Sequence, residues 1–157
     1  MKIGIVGGGV WGSALARLLS NNKVYIFARD IKVVKSINEH HFNPKLKYAV
    51  FNDKVSAETN FNLINEMDYV FITLPAQKIR EVLLSSKLTG AKQEIVIASK
   101  GIEIDTTNLL SQVVKECVKT NKISILSGPS FSNEVAQNLP TAVTFASKDK
   151  ESFENVK

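Results

Sequence analysis

Three glycines near the start of the chain have the spacing of a phosphate-handling turn. Gly7, Gly9 and Gly12 make G-x-G-x-x-G within IVGGGVWG (5–12), straight after the apolar run Ile3–Val6 and before the helical pattern Ala14, Leu15, Leu18, Leu19. Between a strand and a helix, this spacing is the fingerprint of a dinucleotide-binding loop. Gly7 permits the tight turn, Gly9 lets the backbone approach a pyrophosphate, and Gly12 lets the helix pack closely on the strand. Free N–H groups at the helix start, from Val10 onward, would hold phosphate oxygens. A second group, Ala28-Arg29-Asp30, follows the strand-like KVYIF (23–27). Arg29 could grip a 2′-phosphate with paired hydrogen bonds or stack on adenine. Asp30 could reach a ribose hydroxyl or cap the helix that starts at Ile31. The pattern favours NADPH, or use of both NADP and NAD. A third group is Lys100-Gly101, where an ammonium at a strand end could hold a substrate phosphate or polarise the oxygen at a reacting carbon. Ser130, in SGPSF, could touch substrate or cap the helix after it.

These groups need a scaffold that brings strand ends together, and the hydrophobic pattern supplies one. Apolar runs at Lys2–Val6, Lys23–Phe27, Tyr69–Leu74, Glu94–Ser99 and Ile123–Leu126 read as strands, several of them buried on both faces. Helical patterns separate them at Val10–Ser20, Ile31–Glu39, Asn60–Met67, Gln77–Ser85 and Thr107–Val118. A short helix near Ser132–Gln137 and a last strand at Thr141–Ala146 follow, and residues 40–58 read as irregular with a short strand near Ala49–Phe51. Such alternation predicts an α/β fold, a Rossmann-like doubly wound and mostly parallel sheet with helices on both faces. Right-handed crossovers then put every strand's C-terminal end on one rim. Gly7–Gly12, Ala28–Asp30, Pro75–Gln77, Lys100–Gly101 and Ser127–Ser130 converge there, with Pro75 counted on the cofactor side.

Composition is that of an ordinary globular domain. The 157 residues are 44% hydrophobic and 22% charged, enough for one domain with a real core. The net charge of +5 is scattered rather than blocked, which is a solvated surface and not a nucleic-acid footprint. The lone cysteine, Cys117, falls in a helical run as a core or boundary residue, and it can form no disulfide within the chain. His40 and His41 have no Glu or Cys at ligand spacing, so no metal site is expected. No apolar run nears the roughly 18 residues of a membrane span, and no signal-peptide pattern opens the chain. A cytoplasmic protein is expected. Arg80 reads as a residue on an exposed helix face.

IVGGGVWGSALA (5–16), FARD (27–30), TLPAQKIREVL (73–83), ASKGIE (98–103) and LSGPSFSNEVAQNLPTAV (126–143) occur in this order across nearly the whole chain. Together they resemble the N-terminal domain of the bacterial-type NAD(P)-dependent glycerol-3-phosphate dehydrogenase family. The resemblance implies reduction of dihydroxyacetone phosphate to sn-glycerol 3-phosphate for phospholipid synthesis. It places Trp11 beside the cofactor in the phosphate loop, and Val10 where several members carry a small polar residue. It puts Arg29 at the adenine-ribose end, Lys100 at the cofactor–substrate junction, and Gly128 and Ser130 along the substrate. Ser132 stands at a cofactor-side position that is usually alanine. Residues 43–50 lack the Leu-Pro pair usual in that loop.

The family continues into a helical domain that carries its proton-transfer lysine, which would lie beyond Lys157. No catalytic proton donor is therefore assigned within the chain. Residues 1–157 are expected to be the dinucleotide-binding domain, ending just inside the next helix, where Phe153 and Val156 share a side. A homodimer is implied for the whole enzyme. Two other readings compete: an NAD(P)-binding module without activity, and a related dehydrogenase of another 2-hydroxy or 2-oxo acid. ASKGIE with SGPSF argues against the latter.

Overall fold

The computed structural model describes residues 1–156, with the side chains of 47–49, 155 and 156 left aside. The elements run β1 (Lys2–Val6), α1 (Val10–Leu18), β2 (Lys23–Phe27), α2 (Ile31–His40), β3 (Phe42–Asn43), β4 (Leu46–Val50) and β5 (Val55–Glu58). After a 3₁₀ segment at Phe61–Glu66 come β6 (Tyr69–Ile72), a 3₁₀ turn at Ala76–Lys78, α3 (Ile79–Ser86), β7 (Glu94–Ile97) and α4 (Leu110–Cys117). The described chain closes with β8 (Ile123–Ser127), α5 (Ser132–Ala136), β9 (Thr144–Ser147) and α6 (Lys150–Val156). Lys157 and the side chain of Val156, both part of the expected terminal helix, lie outside the described residues.

Seven strands form one sheet in the order β5-β2-β1-β6-β7-β8-β9, and every pairing is parallel except β8 with β9. Alternate residues of each central strand feed opposite layers, as a pleated strand requires. Ile3 and Ile5 of β1, Phe71 of β6 and Val96 of β7 pack under α1, α2 and α5. Val6, Val70, Ile72, Ile95 and Ile97 pack under α3 and α4. The sheet is thus doubly wound. β1 sits between β2, to which the chain goes first, and β6, to which it returns. The crevice above β1 and β6 is the topological switch point, where open α/β sheets bind ligands. No helix among the described residues is long and apolar enough to cross a membrane.

Four sequence expectations need correction. Residues 55–58, expected to be irregular, form β5, paired with β2 from Val24↔Val55 to Phe27↔Glu58. The segment VSAE lacks an apolar run because its outer edge is served by a side chain. Asn38 accepts from the Ala57 N–H at 2.8 Å and donates to its carbonyl at 3.0 Å. Residues 42–50 form a small antiparallel hairpin, β3–β4. α4 starts at Leu110 rather than Thr107, because Thr107 takes a left-handed conformation (φ 58°) that a helix does not allow. The last strand begins at Thr144 rather than Thr141, after residues 142–143 pass close against Gly128.

Candidate functional site

At the switch point lies a cleft of about 290 Å³ lined by Gly7, Gly8, Gly9, Ala28, Arg29, Asp30, Lys45, Thr73, Leu74 and Pro75, together with Phe27, Phe61 and Val82. A larger cavity of about 410 Å³ opens between α1, α5 and the sheet, and Trp11, Leu15, Leu139 and Phe145 are among its walls. No charged side chain lines that cavity among the described residues. The smaller cleft has convergent polar groups at strand ends, so it is the one suited to a charged ligand.

The four glycine-loop positions differ in what the fold demands of them. Gly7 has φ +129°, a conformation that L side chains rarely adopt. Its N–H donates to the Phe27 carbonyl at 3.0 Å, and its own carbonyl accepts from the Thr73 hydroxyl at 3.2 Å. A Cβ on Gly8 would strike the Ala28 side chain at 2.6 Å. One on Gly12 would run into the Gly7 carbonyl and the Thr73 hydroxyl. Gly9 is unlike these. Its φ is an ordinary −86° and a Cβ there would meet nothing within 4 Å. The fold has no need of glycine at position 9, whereas a ligand lying against the backbone would. Gly9 is also the N-cap of α1 and brings no side chain to bond its first N–H groups. Those donors face the loop with the positive end of the helix dipole behind them. This cradle fits a pyrophosphate.

Arg29 and Asp30 leave the end of β2 in different directions. Arg29 Nη1 lies 3.6 Å from Glu81 Oε1 on α3. Asp30 caps α2, accepting from the Lys32 N–H at 3.0 Å, and its other oxygen is 3.3 Å from Lys45 Nζ. The Lys32 N–H foremost, with help from Lys45, holds the Asp30 carboxyl below its ordinary range. Lys45 in turn stands on a buried anchor. Its N–H donates to Asn43 Oδ1 at 3.0 Å, and Asn43 Nδ2 donates to the Gly8 carbonyl at 3.1 Å and to the Ser13 hydroxyl at 2.6 Å. Asn43 and Ser13 are both 0% exposed.

Along the same rim, the ends of β7 and β8 meet. Lys100 Nζ donates to the Gly128 carbonyl at 3.2 Å. Gly128 has φ +148°, and a Cβ on it would press on Ala142 and Val143 at 3.1 Å, so glycine is required there by the backbone itself. The Ser130 hydroxyl is buried and has no hydrogen-bond partner. It does not cap α5 as one sequence reading allowed, because Phe131 occupies the N-cap and makes no side-chain cap. Trp11 turns toward the sheet and donates its indole N–H to the Ala98 carbonyl at 3.0 Å, two residues before Lys100. Val10, Trp11, Gly12, Lys100 and Ser132 are not part of the cleft wall. Val10 and Gly12 lie in α1, and Ser132 opens α5, which packs against α1.

The loop that carries Lys100 is braced from the 3₁₀ turn at Ala76–Lys78 and from α3. Gln77 Nε2 donates to the Ile102 carbonyl at 2.8 Å, while its Oε1 accepts from the Ile104 N–H at 2.9 Å. Arg80 is not on an open helix face as its sequence position suggested. It donates to both oxygens of Glu103 (2.9 and 2.8 Å) and to Glu116 at 2.6 Å. Thr106 adds a hydroxyl bond to Glu103 at 2.6 Å. The bidentate Arg80 bond, then the Thr106 hydroxyl, bring the Glu103 carboxyl down to about 2. The bonds to Glu103 and then Glu116 push Arg80 further above its already high range. Burial pushes the Cys117 thiol up, which leaves it an unreactive thiol. The sequence reading gave no role to Asn43 or Lys45, placed Gln77 on the rim without a task, and did not pair Arg80 with Glu103. Each of these has a partner distant in sequence.

A glycine turn at the switch point of a doubly wound sheet, with cations at the neighbouring strand ends, defines a Rossmann-like α/β domain with a glycine-lined cleft. The family model for the N-terminus of NAD-dependent glycerol-3-phosphate dehydrogenase matches residues 2–153. The chain belongs to that family. The glycerol-3-phosphate dehydrogenase [NAD(P)+] of Neorickettsia sennetsu is 35% identical over 156 residues, covering 97% of this chain and 47% of that protein. The crystal structure of glycerol-3-phosphate dehydrogenase from Coxiella burnetii superposes with a TM-score of 0.88 at 29% identity, covering 99% of this chain and 49% of that one. A Plasmodium falciparum glycerol-3-phosphate dehydrogenase shares the fold with a TM-score of 0.91 at 24% identity, over 99% and 48% of the two chains. The chain spans about half the length of the curated relatives it matches.

Proposed function

We propose that residues 1–157 form the cofactor-binding domain of a glycerol-3-phosphate dehydrogenase. The complete enzyme would move hydride between NAD(P)H and dihydroxyacetone phosphate, giving sn-glycerol 3-phosphate for phospholipid synthesis in the cytoplasm. NADPH is the preferred cofactor in this reading, and the complete enzyme is a homodimer. The observation that carries the proposal is the meeting of the two most specific sequence stretches at one rim. Lys100 of ASKGIE rests on the carbonyl of Gly128 in SGPSF, beside the buried, unpartnered hydroxyl of Ser130.

A bound NAD(P)H supplies the hydride. Gly9 and the first N–H groups of α1 hold the pyrophosphate, while Arg29, Asp30 and Pro75 border the adenosine. Trp11 and Ser132 border the nicotinamide end. Lys100 exchanges the Gly128 carbonyl for an anionic oxygen of the substrate, either its phosphate or the oxygen on the reacting carbon. Ser130 gives that substrate the hydrogen bond it lacks in the free domain. A buried hydroxyl without a partner costs about 1–3 kcal/mol, so a ligand that satisfies it recovers that cost on binding. Proton transfer to the developing alkoxide is left to residues outside this span.

The test is to complete the chain with the remaining half of a matched relative and assay dihydroxyacetone phosphate reduction. Lys100→Ala should lower kcat/KM by about 10²–10³-fold, the scale set by losing one preorganised electrostatic donor. Unchanged kinetics in Lys100→Ala would remove Lys100 from the site and with it the reading of this rim.

A further inference from the structure

Two cations flank the adenine end of the cleft, and their surroundings give them different work. Arg29 is drawn to the α3 side, where Glu81 takes it at 3.6 Å and also takes Lys78 at 2.9 Å. The cleft wall there is apolar, made of Leu74, Pro75 and Val82. A guanidinium beside such a wall suits the flat face of a base. Lys45 lines the same cleft and pairs with Asp30 at the end of β2, where the ribose of a bound dinucleotide is expected.

The free state of this corner is already neutral. One Asp30 oxygen caps α2 and the other is matched by Lys45. A ribose 2′-hydroxyl could join that arrangement without disturbing it. A 2′-phosphate could not, because its charge of nearly −2 would stand against the Asp30 carboxylate. Lys45 can resolve the conflict, since both it and Asp30 are half-exposed and the lysine stem is flexible. The ammonium leaves a singly charged carboxylate for a more highly charged phosphate. Only its tip needs to move, because its backbone is tied to the buried Asn43, which also holds the Gly8 carbonyl. The lysine is therefore registered to the same loop that positions the pyrophosphate.

We propose that Lys45 is the residue that recognises the 2′-phosphate of NADPH, exchanging Asp30 for the phosphate, while Arg29 serves the adenine of either cofactor. The proposal rests on the reading of the glycine cleft as a dinucleotide site. It departs from the sequence expectation, which gave Arg29 a choice between the two tasks and passed over Lys45.

The 157-residue chain is titrated with NADPH, NADH, adenosine 2′,5′-bisphosphate and adenosine 5′-monophosphate, as wild type, Lys45→Ala and Arg29→Ala. Lys45→Ala should weaken NADPH and the bisphosphate by about tenfold, the scale of one charge-assisted hydrogen bond at a half-exposed site, and change NADH and the monophosphate less than about twofold. Arg29→Ala should weaken all four ligands alike. Equal losses for NADPH and NADH in Lys45→Ala, or no loss for either, would overturn the role of Lys45 while leaving the cleft intact. A loss confined to NADPH in Arg29→Ala would overturn the division of labour. Binding of none of the four by the folded wild type would overturn the dinucleotide reading itself, and this proposal with it.

Discussion

The two ends of the strand rim are built to different degrees. At the β1–β2–β6 end, the polar groups of the loop that faces the ligand are fastened to one another. Thr73 donates to the carbonyls of Val6 and Gly7, Asn43 bonds Gly8 and Ser13, and Asp30 caps α2 and meets Lys45. At the β7–β8 end, Lys100 leans on a carbonyl and Ser130 has a buried hydroxyl with nothing to bond. Buried polar groups in native proteins are nearly always satisfied. The polar groups of the first end are satisfied among themselves. In the proposed function the second end takes its remaining partners from the substrate.

The contrast is open to direct attack. The largest effect should come from Gly9→Val. A side chain there fills the space that a pyrophosphate would occupy, and NADPH affinity should fall by at least about 100-fold while circular dichroism and Tm stay at wild-type values. Gly12→Ala makes the opposite case. Its Cβ would collide with the Gly7 carbonyl, so calorimetry should show a stability loss of about 3 kcal/mol, the top of the usual overpacking range. If Gly9→Val destabilised the protein as much as Gly12→Ala, the fold rather than a ligand would be what demands glycine at position 9.

A smaller effect separates two hydroxyls. Thr73→Val removes a donor with two acceptors and should cost about 1 kcal/mol. Ser130→Ala removes a buried hydroxyl with no partner and should make the free domain more stable, by about 1–3 kcal/mol. The same change should raise KM for dihydroxyacetone phosphate in the completed enzyme. A clear loss of stability in Ser130→Ala would mean that its hydroxyl is satisfied in the free domain.

The smallest effect is a pH dependence at the brace behind Lys100. The Glu103 carboxyl is held down to about 2 in the folded state, from the usual range near 4.5. A depressed carboxylate contributes stability that is present above its unfolded value and is lost as pH falls through its folded value. The Arg80–Glu103 contribution should thus be intact at neutral pH and fade between about 4.5 and about 2. Melting curves across that window should fall more steeply for wild type than for Glu103→Gln, which should already be less stable at pH 7. Parallel curves would show that Glu103 is not held by Arg80 in solution.

The central strands were legible in the sequence because burial on both faces leaves continuous apolar runs, as in YVFI and EIVI. The glycine loop was legible because each residue acts within its own turn. β5 was not, since an edge strand needs few apolar residues and Asn38 of α2 completes its hydrogen bonding. Arg80 was misjudged for a related reason. A charged residue on a helix reads as solvated unless the carboxylates that enclose it, Glu103 and Glu116, are brought to it by the fold. Lys45 was passed over because its meaning depends on Asp30, which no local pattern connects to it, and on the bonds that Asn43 makes to Gly8 and Ser13.

In the proposed function this domain holds a complete cofactor site and an incomplete catalytic one. The most direct test is to titrate the purified 157-residue chain with NADPH by fluorescence and, in the same preparation, assay reduction of dihydroxyacetone phosphate. Saturable binding that Gly9→Val abolishes, without measurable turnover, is the predicted result. In the proposed reading the proton donor lies outside this span, and losing general acid–base help alone costs about 10²–10⁴-fold. Robust turnover by the chain alone, or failure of the folded chain to bind NADPH or NADH, would contradict the account.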